Sequence, residues 1–254
     1  MKYCSILISN FRTKEAIELC IESILKRTDY KPYKIVVFDS SGNDSQDRKY
    51  LEKQRDAGVI ELLTSENRTR HYYAMLKLYH YCNTELGLFL DSDIEILENG
   101  WLSILIDIIL SDSNVLGVAS FKHKGVMIPQ EWFRAPRYEP KCMLLNMELY
   151  RRIQDDADFI QSNTSIEDYK GKQIFDIFPQ KFPTVWGDTC WKLTEKILFD
   201  NKNDFIMKKI PSDYLNKKMN HYGGIGMHFG DYNNPIIGPR LKKIKARLEK
   251  LRKE

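Results

Sequence analysis

Short apolar runs alternate with amphipathic segments through the first 121 residues, and only brief links separate them. "YCSILIS" (3–9), "YKIVVFD" (33–39), "VIELLT" (59–64), "LGLFLD" (86–91) and "VLGVASF" (115–121) are rich in strand formers. Between the first two, "TKEAIELCIESILKR" (13–27) sets Ile17, Cys20, Ile21, Ile24 and Leu25 on one helical stripe. Further helices are expected from the turn "SSGND" (40–44) to about Arg55, over 68–82, and over 101–110. Strand–helix alternation of this kind predicts an α/β chain: a mostly parallel, Rossmann-like sheet with helices on both faces. Its strands read as near-continuous apolar runs because both faces are covered. Such sheets bind ligands beyond the carboxyl ends of their strands. Those ends carry Ser9 and Asn10, then Asp39, then Ser65, Glu66 and Asn67, then Asp91, Ser92 and Asp93.

After residue 121 the rhythm breaks. "PQEWFRAPRYEPK" (129–141) is rich in proline and aromatic residues, and "MELYRRI" (147–153) reads as a helix. Residues 154–185 are polar, with a capping-box pattern from Thr164 to Glu167, and are too long for a simple link, so a lid or small subdomain is expected. "DTCWKLTEKILF" (188–199) reads as a helix with an acidic start.

At 254 residues, 43% hydrophobic and 29% charged, the chain can build a sizeable core in one large α/β domain or two small ones. No run reaches the ~18 apolar residues of a membrane span, and "MKYCSILISN" turns polar too soon for a secretory signal. The five cysteines are odd in number, widely spaced and free of C-x-x-C pairs, so reduced thiols in a cytoplasmic protein are expected. The net charge is +4, but residues 240–254 hold eight Lys/Arg and two Glu, or +6, which leaves the body near −2. That distribution excludes a broadly basic, nucleic-acid-binding surface. In the tail, residues 237, 241, 244, 248 and 251 form a heptad-like apolar stripe on an otherwise basic helix. Three destinations suit it: an anionic membrane surface, which the crowding of basic residues favours, a second copy of the chain, or the domain itself.

A carboxylate pair at a strand end, as in "GLFLDSD", has two uses. It can hold a hard divalent cation whose other positions go to phosphate oxygens and water. It can also cap the turn that leads to Trp101. The order and spacing of "DSSGND", "ENRTRHYYA" and "LGLFLDSD" add specificity. Together they resemble the family 2 glycosyltransferases of the GT-A fold, best from Tyr3 to about Ile109.

The resemblance implies a nucleotide-sugar donor, with UDP preferred as the family's commonest nucleotide, and a Mn²⁺ or Mg²⁺ cofactor. It implies a nucleotide-sugar-binding half at 1–121, an acceptor-side half at 122–235 and a basic C-terminal helix at 236–254. Asp39 matches the residue that reads the nucleobase, while Asn10, Phe11, Asn67 and Arg70 match positions facing the nucleotide. Asp91, Ser92 and Asp93 match the motif that holds ribose and metal, with Asp93 the more direct metal ligand. "VWGDTCWKL" resembles a G-E-D-x-x-L block in which Asp188 would be the catalytic base of an inverting transfer and Gly187 replaces the glutamate. As the residue ahead of a helix, Asp188 would otherwise serve as a cap. "NHYGGIGMHFGDY" offers His221 and His228 as a further metal ligand, with His221 preferred; His71, His80 and His123 are read as packing or solvent residues. Trp132, Phe133, Trp186 and Trp191 could stack on sugar rings or fill the core. The implied acceptor is a glycan or a lipid-linked hydroxyl.

Other functions share parts of this pattern. A sugar nucleotidyltransferase uses a similar sheet and metal but needs a glycine-rich loop after its first strand, and "SNFRTKE" has no glycine. A haloacid dehalogenase-type phosphatase carries its D-x-D on the first strand, not the fourth. A degenerate domain kept for binding or assembly would not need Asp39, Asp91, Asp93 and Asp188 together.

Overall fold

The structure, a computed structural model, describes residues 1–43, 47–122, 126–128, 132–134, 137–170, 184–199, 204–223 and 233–254. Strands β1 (Cys4–Asn10), β2 (Tyr33–Asp39), β3 (Glu61–Thr64) and β4 (Leu86–Asp91) alternate with helices α1 (Lys14–Arg27), α2 (Arg48–Asp56) and α3 (His71–Tyr81). A short β5 (Ile94–Ile96) follows, then α4 (Trp101–Leu110), β6 (Val115–Lys122), β7 (Val126–Ile128), β8 (Trp132–Arg134) and β9 (Arg137–Asn146). The chain continues through α5 (Met147–Ile153), β10 (Ser162–Ser165), β11 (Thr184–Gly187), α6 (Trp191–Phe199), β12 (Ile206–Lys209), α7 (Ser212–Lys218), β13 (Met219–His221) and α8 (Ile237–Lys253).

Seven strands form the main sheet in the order β12-β6-β9-β4-β1-β2-β3. Every pairing is parallel except the two made by β9, which runs antiparallel to both β4 and β6. The period of two sorts the strand side chains between two cores. Ile6, Ile8, Val37, Leu88 and Leu90 face α1 and α4 with Ile17, Ile21 and Leu105. Leu7, Val36, Phe38 and Phe89 face α3 and α5 with Met75, Leu78 and Tyr150. All five cysteines are free and buried in these cores.

β9 is the main departure from the expected architecture. Pro140 and the charges at 137, 139 and 141 interrupt its apolar run, yet it lies near the middle of the sheet. The proline is accommodated by a break in register, where Glu139 pairs with Ser120 but Met143 pairs with Ala119. The side chain of Thr164, expected to open a capping box, lies outside the described set. Thr164 lies in β10, and a box forms at Asp155, whose side chain accepts from the Ala157 N–H while Asp158 accepts from the Asp155 N–H. Asp188 does not cap α6 with its side chain: the helix begins three residues later, and the Asp188 carbonyl accepts the Trp191 N–H.

The basic tail packs back on the domain. Ile237, Leu241, Ile244, Leu248 and Leu251 are all buried against Ala16 and Leu19 of α1 and against Tyr222. Of the three destinations, the apolar stripe takes the domain itself. The acids that the tail lacks come from elsewhere: Arg252 pairs with Glu18 and Glu22, and Arg247 with Glu95. Ile244→Asp is expected to destabilise the fold by about 3 kcal/mol, because it buries a charge without a partner. Urea denaturation measures this. An unchanged midpoint would show that the stripe is not a packing surface. Among the described residues no helix is long and apolar enough to cross a membrane.

Candidate donor and metal site

Parallel register brings the ends of β1, β2 and β4 side by side, with Asn10 opposite Asp39 and Ser9 opposite Asp91. Beyond β4 the chain turns through Ser92 and Asp93 into β5, and β13 pairs antiparallel with β5 so that His221 stands opposite Ile94. The clip extends one residue further, as the Tyr222 N–H donates to the Asp93 carbonyl at 3.0 Å. His221 Nε2 thereby lies 3.2 Å from Asp93 Oδ1 and 3.6 Å from Asp91 Oδ2. One donor atom from each of Asp91, Asp93 and His221 lies within 4.8 Å of the others. Two carboxylates and an imidazole suit a divalent cation that keeps open positions for phosphate and water.

His71 approaches from the other side. Its Nε2 is 3.6 Å from Asp91 Oδ1 and 2.9 Å from Ser9 Oγ. Burial works against charging either histidine, but the aspartates outweigh it and hold both imidazoles above their ordinary value. Burial likewise opposes ionising Asp91, and His71 more than offsets this, keeping the carboxyl below its usual range. His71, read from sequence as a packing or solvent residue, belongs to the site.

A cavity of about 630 Å³ opens over this corner. Asn10, Phe11, Arg70, Asp91, Ser92, Asp93, Asp188 and His221 all line it. Thr13 ties two of its walls together: its hydroxyl donates to Asn10 Oδ1 at 2.7 Å and lies 3.0 Å from Ser92 Oγ. Arg137, Glu139 and Lys141, alternating along β9, also line the cavity. Lys141 Nζ pairs with Glu139 at 2.8 Å, and Ser120 Oγ donates to the same carboxylate at 3.0 Å. Neither Glu139 nor Lys141 was anticipated, because their strand was not.

Asp188 lines the same cavity. Its Oδ1 accepts from the Thr189 N–H at 2.8 Å and from Gln161 Nε2 at 2.9 Å, and its Oδ2 lies 2.9 Å from Arg137 Nη1. Gly187 precedes it for a steric reason: a Cβ there would come within 2.2 Å of the Trp191 ring. The ring occupies the space that a glutamate would need. Trp191 itself is fully buried and fills core, so it offers no sugar platform. The side chains of Trp132, Phe133 and Trp186 fall outside the described set, as do His123 and His228.

Two expected nucleotide residues stand apart. Asp39 is fully buried beneath the cavity, receiving Arg48 Nε at 3.0 Å, the Ser41 N–H at 3.2 Å and Asn10 Nδ2 at 3.3 Å. Asn67 lines a separate cavity of about 680 Å³ with Phe38, Tyr73 and Tyr81.

Several solved structures are similar to the chain. One is GalNAc-T7 with UDP, GalNAc and Mn²⁺, at TM-score 0.49 and 14% identity, covering 75% of this chain and 42% of that one. Another is the mannosyltransferase PcManGT from Pyrobaculum calidifontis with GDP-Man and Mn²⁺, at TM-score 0.48 and 14% identity, covering 98% and 74%. A third is S. aureus TarS 1-349 with UDP-GlcNAc, at TM-score 0.44 and 16% identity, covering 84% and 59%. The chain thus spans less than two thirds of the first and third of these proteins. No curated protein sequence matches it. The model of a protein family described as Glycosyl transferase family 2 matches residues 5–171, from the first strand past β10 and over more than half of the sequence. The chain belongs to glycosyl transferase family 2.

Proposed function

We propose that this glycosyltransferase moves a sugar from a nucleotide-sugar donor, with UDP the first choice of nucleotide, to the hydroxyl of a glycan or lipid-linked acceptor, with inversion and with the help of Mn²⁺ or Mg²⁺. The observation that carries the reading is the convergence of Asp91, Asp93 and His221 in a cavity that Asp188 also lines. Asp91, Asp93 and His221 would hold the cation. When bound, it supplies positive charge to the departing diphosphate without any proton transfer.

The chain's own residues do the rest. Asn10, Phe11, Arg70 and Ser92 line the side of the cavity assigned to the nucleoside. Lys141 adds a further positive charge toward the diphosphate. Asp39 and Asn67 keep the nucleotide roles implied by the family only if Arg48 yields its hold on Asp39 and if the base reaches past Thr69, which lines both cavities. Asp188 accepts the proton of the acceptor hydroxyl at its Oδ2, on the face opposite the leaving group. Five buried, unpaired thiols are in keeping with a reducing, cytoplasmic setting.

Calorimetry with UDP, GDP and other nucleoside diphosphates tests this, each with Mn²⁺, with Mg²⁺ and with chelator. UDP should bind with either metal and lose its binding in chelator. A panel of nucleotide sugars, followed by slow hydrolysis, then identifies the sugar. If no nucleoside diphosphate binds in the presence of either metal, the reading is wrong.

A further inference from the structure

Arg137 is only 9% exposed, yet most of its hydrogen-bonding capacity is unused. Its Nη1 lies 2.9 Å from Asp188 Oδ2, but among the described residues neither Nη1 nor Nε makes a hydrogen bond, and both atoms are buried. A guanidinium carries five N–H donors and no acceptor, so burying it with two nitrogens unanswered is costly. The acids beside it are shared with other donors and give Arg137 one ion pair without a well-aligned hydrogen bond. Asp188 is already engaged by Thr189 and Gln161, and Glu139 by Lys141 and Ser120. The group also lines the cavity, so a ligand can reach it.

We propose that Arg137 forms an anion subsite that reads a carboxylate or phosphate on the acceptor, next to the hydroxyl that reacts. This rests on the reading of Asp188 as the base and of the Asp91 corner as the donor end. Position assigns the anion to the acceptor and not to the donor. Arg137 Nη1 touches Asp188, the proposed base, whereas Lys141, further along β9, pairs with Glu139. A planar guanidinium suits an oxyanion, which can take two parallel hydrogen bonds from it. Such a ligand would compete with Asp188 for Arg137. The acceptor's anion would then share Arg137 with the carboxylate proposed to take the hydroxyl proton. An acidic sugar residue and a phosphorylated acceptor share this chemistry.

The test uses the full chain saturated with UDP and Mg²⁺, so that added anions cannot occupy the metal corner. Three probes are titrated: glucuronate, glycerol 1-phosphate and glucose. The readouts are calorimetry and the NMR signal of the Arg137 Nε–H group, assigned by its absence in Arg137→Lys. At least one acidic probe should shift the signal, while glucose should not; the probe that binds names the source of the anion. Arg137→Gln should bind that probe at least about tenfold more weakly, with Arg137→Lys intermediate and UDP–Mg²⁺ affinity unaltered in both. Unchanged probe binding in Arg137→Gln, or no shift of the wild-type signal with either acidic probe, overturns the subsite. The wild-type signal decides even if the variants fold poorly. Failure of UDP–Mg²⁺ itself to bind is a separate result, which overturns the function proposed above and the subsite with it.

Discussion

Asp93→Ala is expected to abolish metal-dependent nucleotide binding while the fold survives. The two halves of that expectation come from different atoms of one residue. Its carboxylate, 3.2 Å from His221 Nε2, is one of the three groups proposed to hold the cation. Its backbone carbonyl accepts the Tyr222 N–H and keeps β13 against β5, and alanine preserves that bond. The variant relieves one of two neighbouring negative charges but also takes the carboxylate partner from His221, so a modest loss of stability is expected. Affinity for UDP in Mn²⁺ should fall to its value in chelator, a loss of about 100-fold or more by comparison with the 10–100-fold that outer-shell changes alone cost. Calorimetry measures the binding, and circular dichroism with thermal melting checks the fold. Wild-type affinity in the presence of Mn²⁺ would sink the metal assignment.

Asp188→Asn should lower turnover by roughly 10²–10⁴ with donor affinity nearly intact. Asparagine keeps an oxygen for the Thr189 N–H and Gln161, so the local turn is preserved. It cannot accept the proton of the acceptor hydroxyl. It also leaves Arg137 facing an amide in place of a carboxylate, and removing one member of a buried ion pair costs about 3 kcal/mol. Turnover must therefore be measured well below the variant's own melting temperature. Normal turnover would show that Asp188 is not the base. Loss of UDP binding with an intact fold would place it on the donor side instead.

Much of the fold of the first 121 residues was legible because its signals are local. Each of β1, β2 and β4 is a contiguous apolar run that ends in polar residues, and parallel pairing sets those ends together. The D-x-D pair and His221 could be picked out by order and residue type, and the structure joins them through β5 and β13. β9 was hidden because its first five residues obey two demands at once. Tyr138 packs in the core, while Arg137, Glu139 and Lys141 line the cavity, so no apolar run marks the strand. His71 was misjudged for another reason: at the first position of α3 it looks like an ordinary helix residue, and only the approach of β4 beside β1 brings it to Asp91. The tail's stripe was visible as a period, but its destination was not. The acids that answer its basic residues lie 152 residues away at Glu95 and 234 away at Glu18.

The Glu95 contact couples α8 to the strand pair that carries His221. Glu95 lies mid-way along β5, fully enclosed, and takes Arg247 Nε on one oxygen and the Tyr222 hydroxyl on the other, both at 2.8 Å. The strand pair that aims His221 is thus fastened to a helix that contributes nothing to the donor cavity. Linkage is reciprocal: if a seated α8 favours the geometry that binds cation and nucleotide, then cation and nucleotide must favour a seated α8 by the same free energy. Saturating ligand should slow amide hydrogen exchange along α8, which does not line the cavity over Asp91 and Asp93. Unaltered exchange there would mean that the strand pair holds its shape alone. A loaded enzyme would then differ from an empty one at its periphery as well as at its centre, and a protease acting on the tail would distinguish the two.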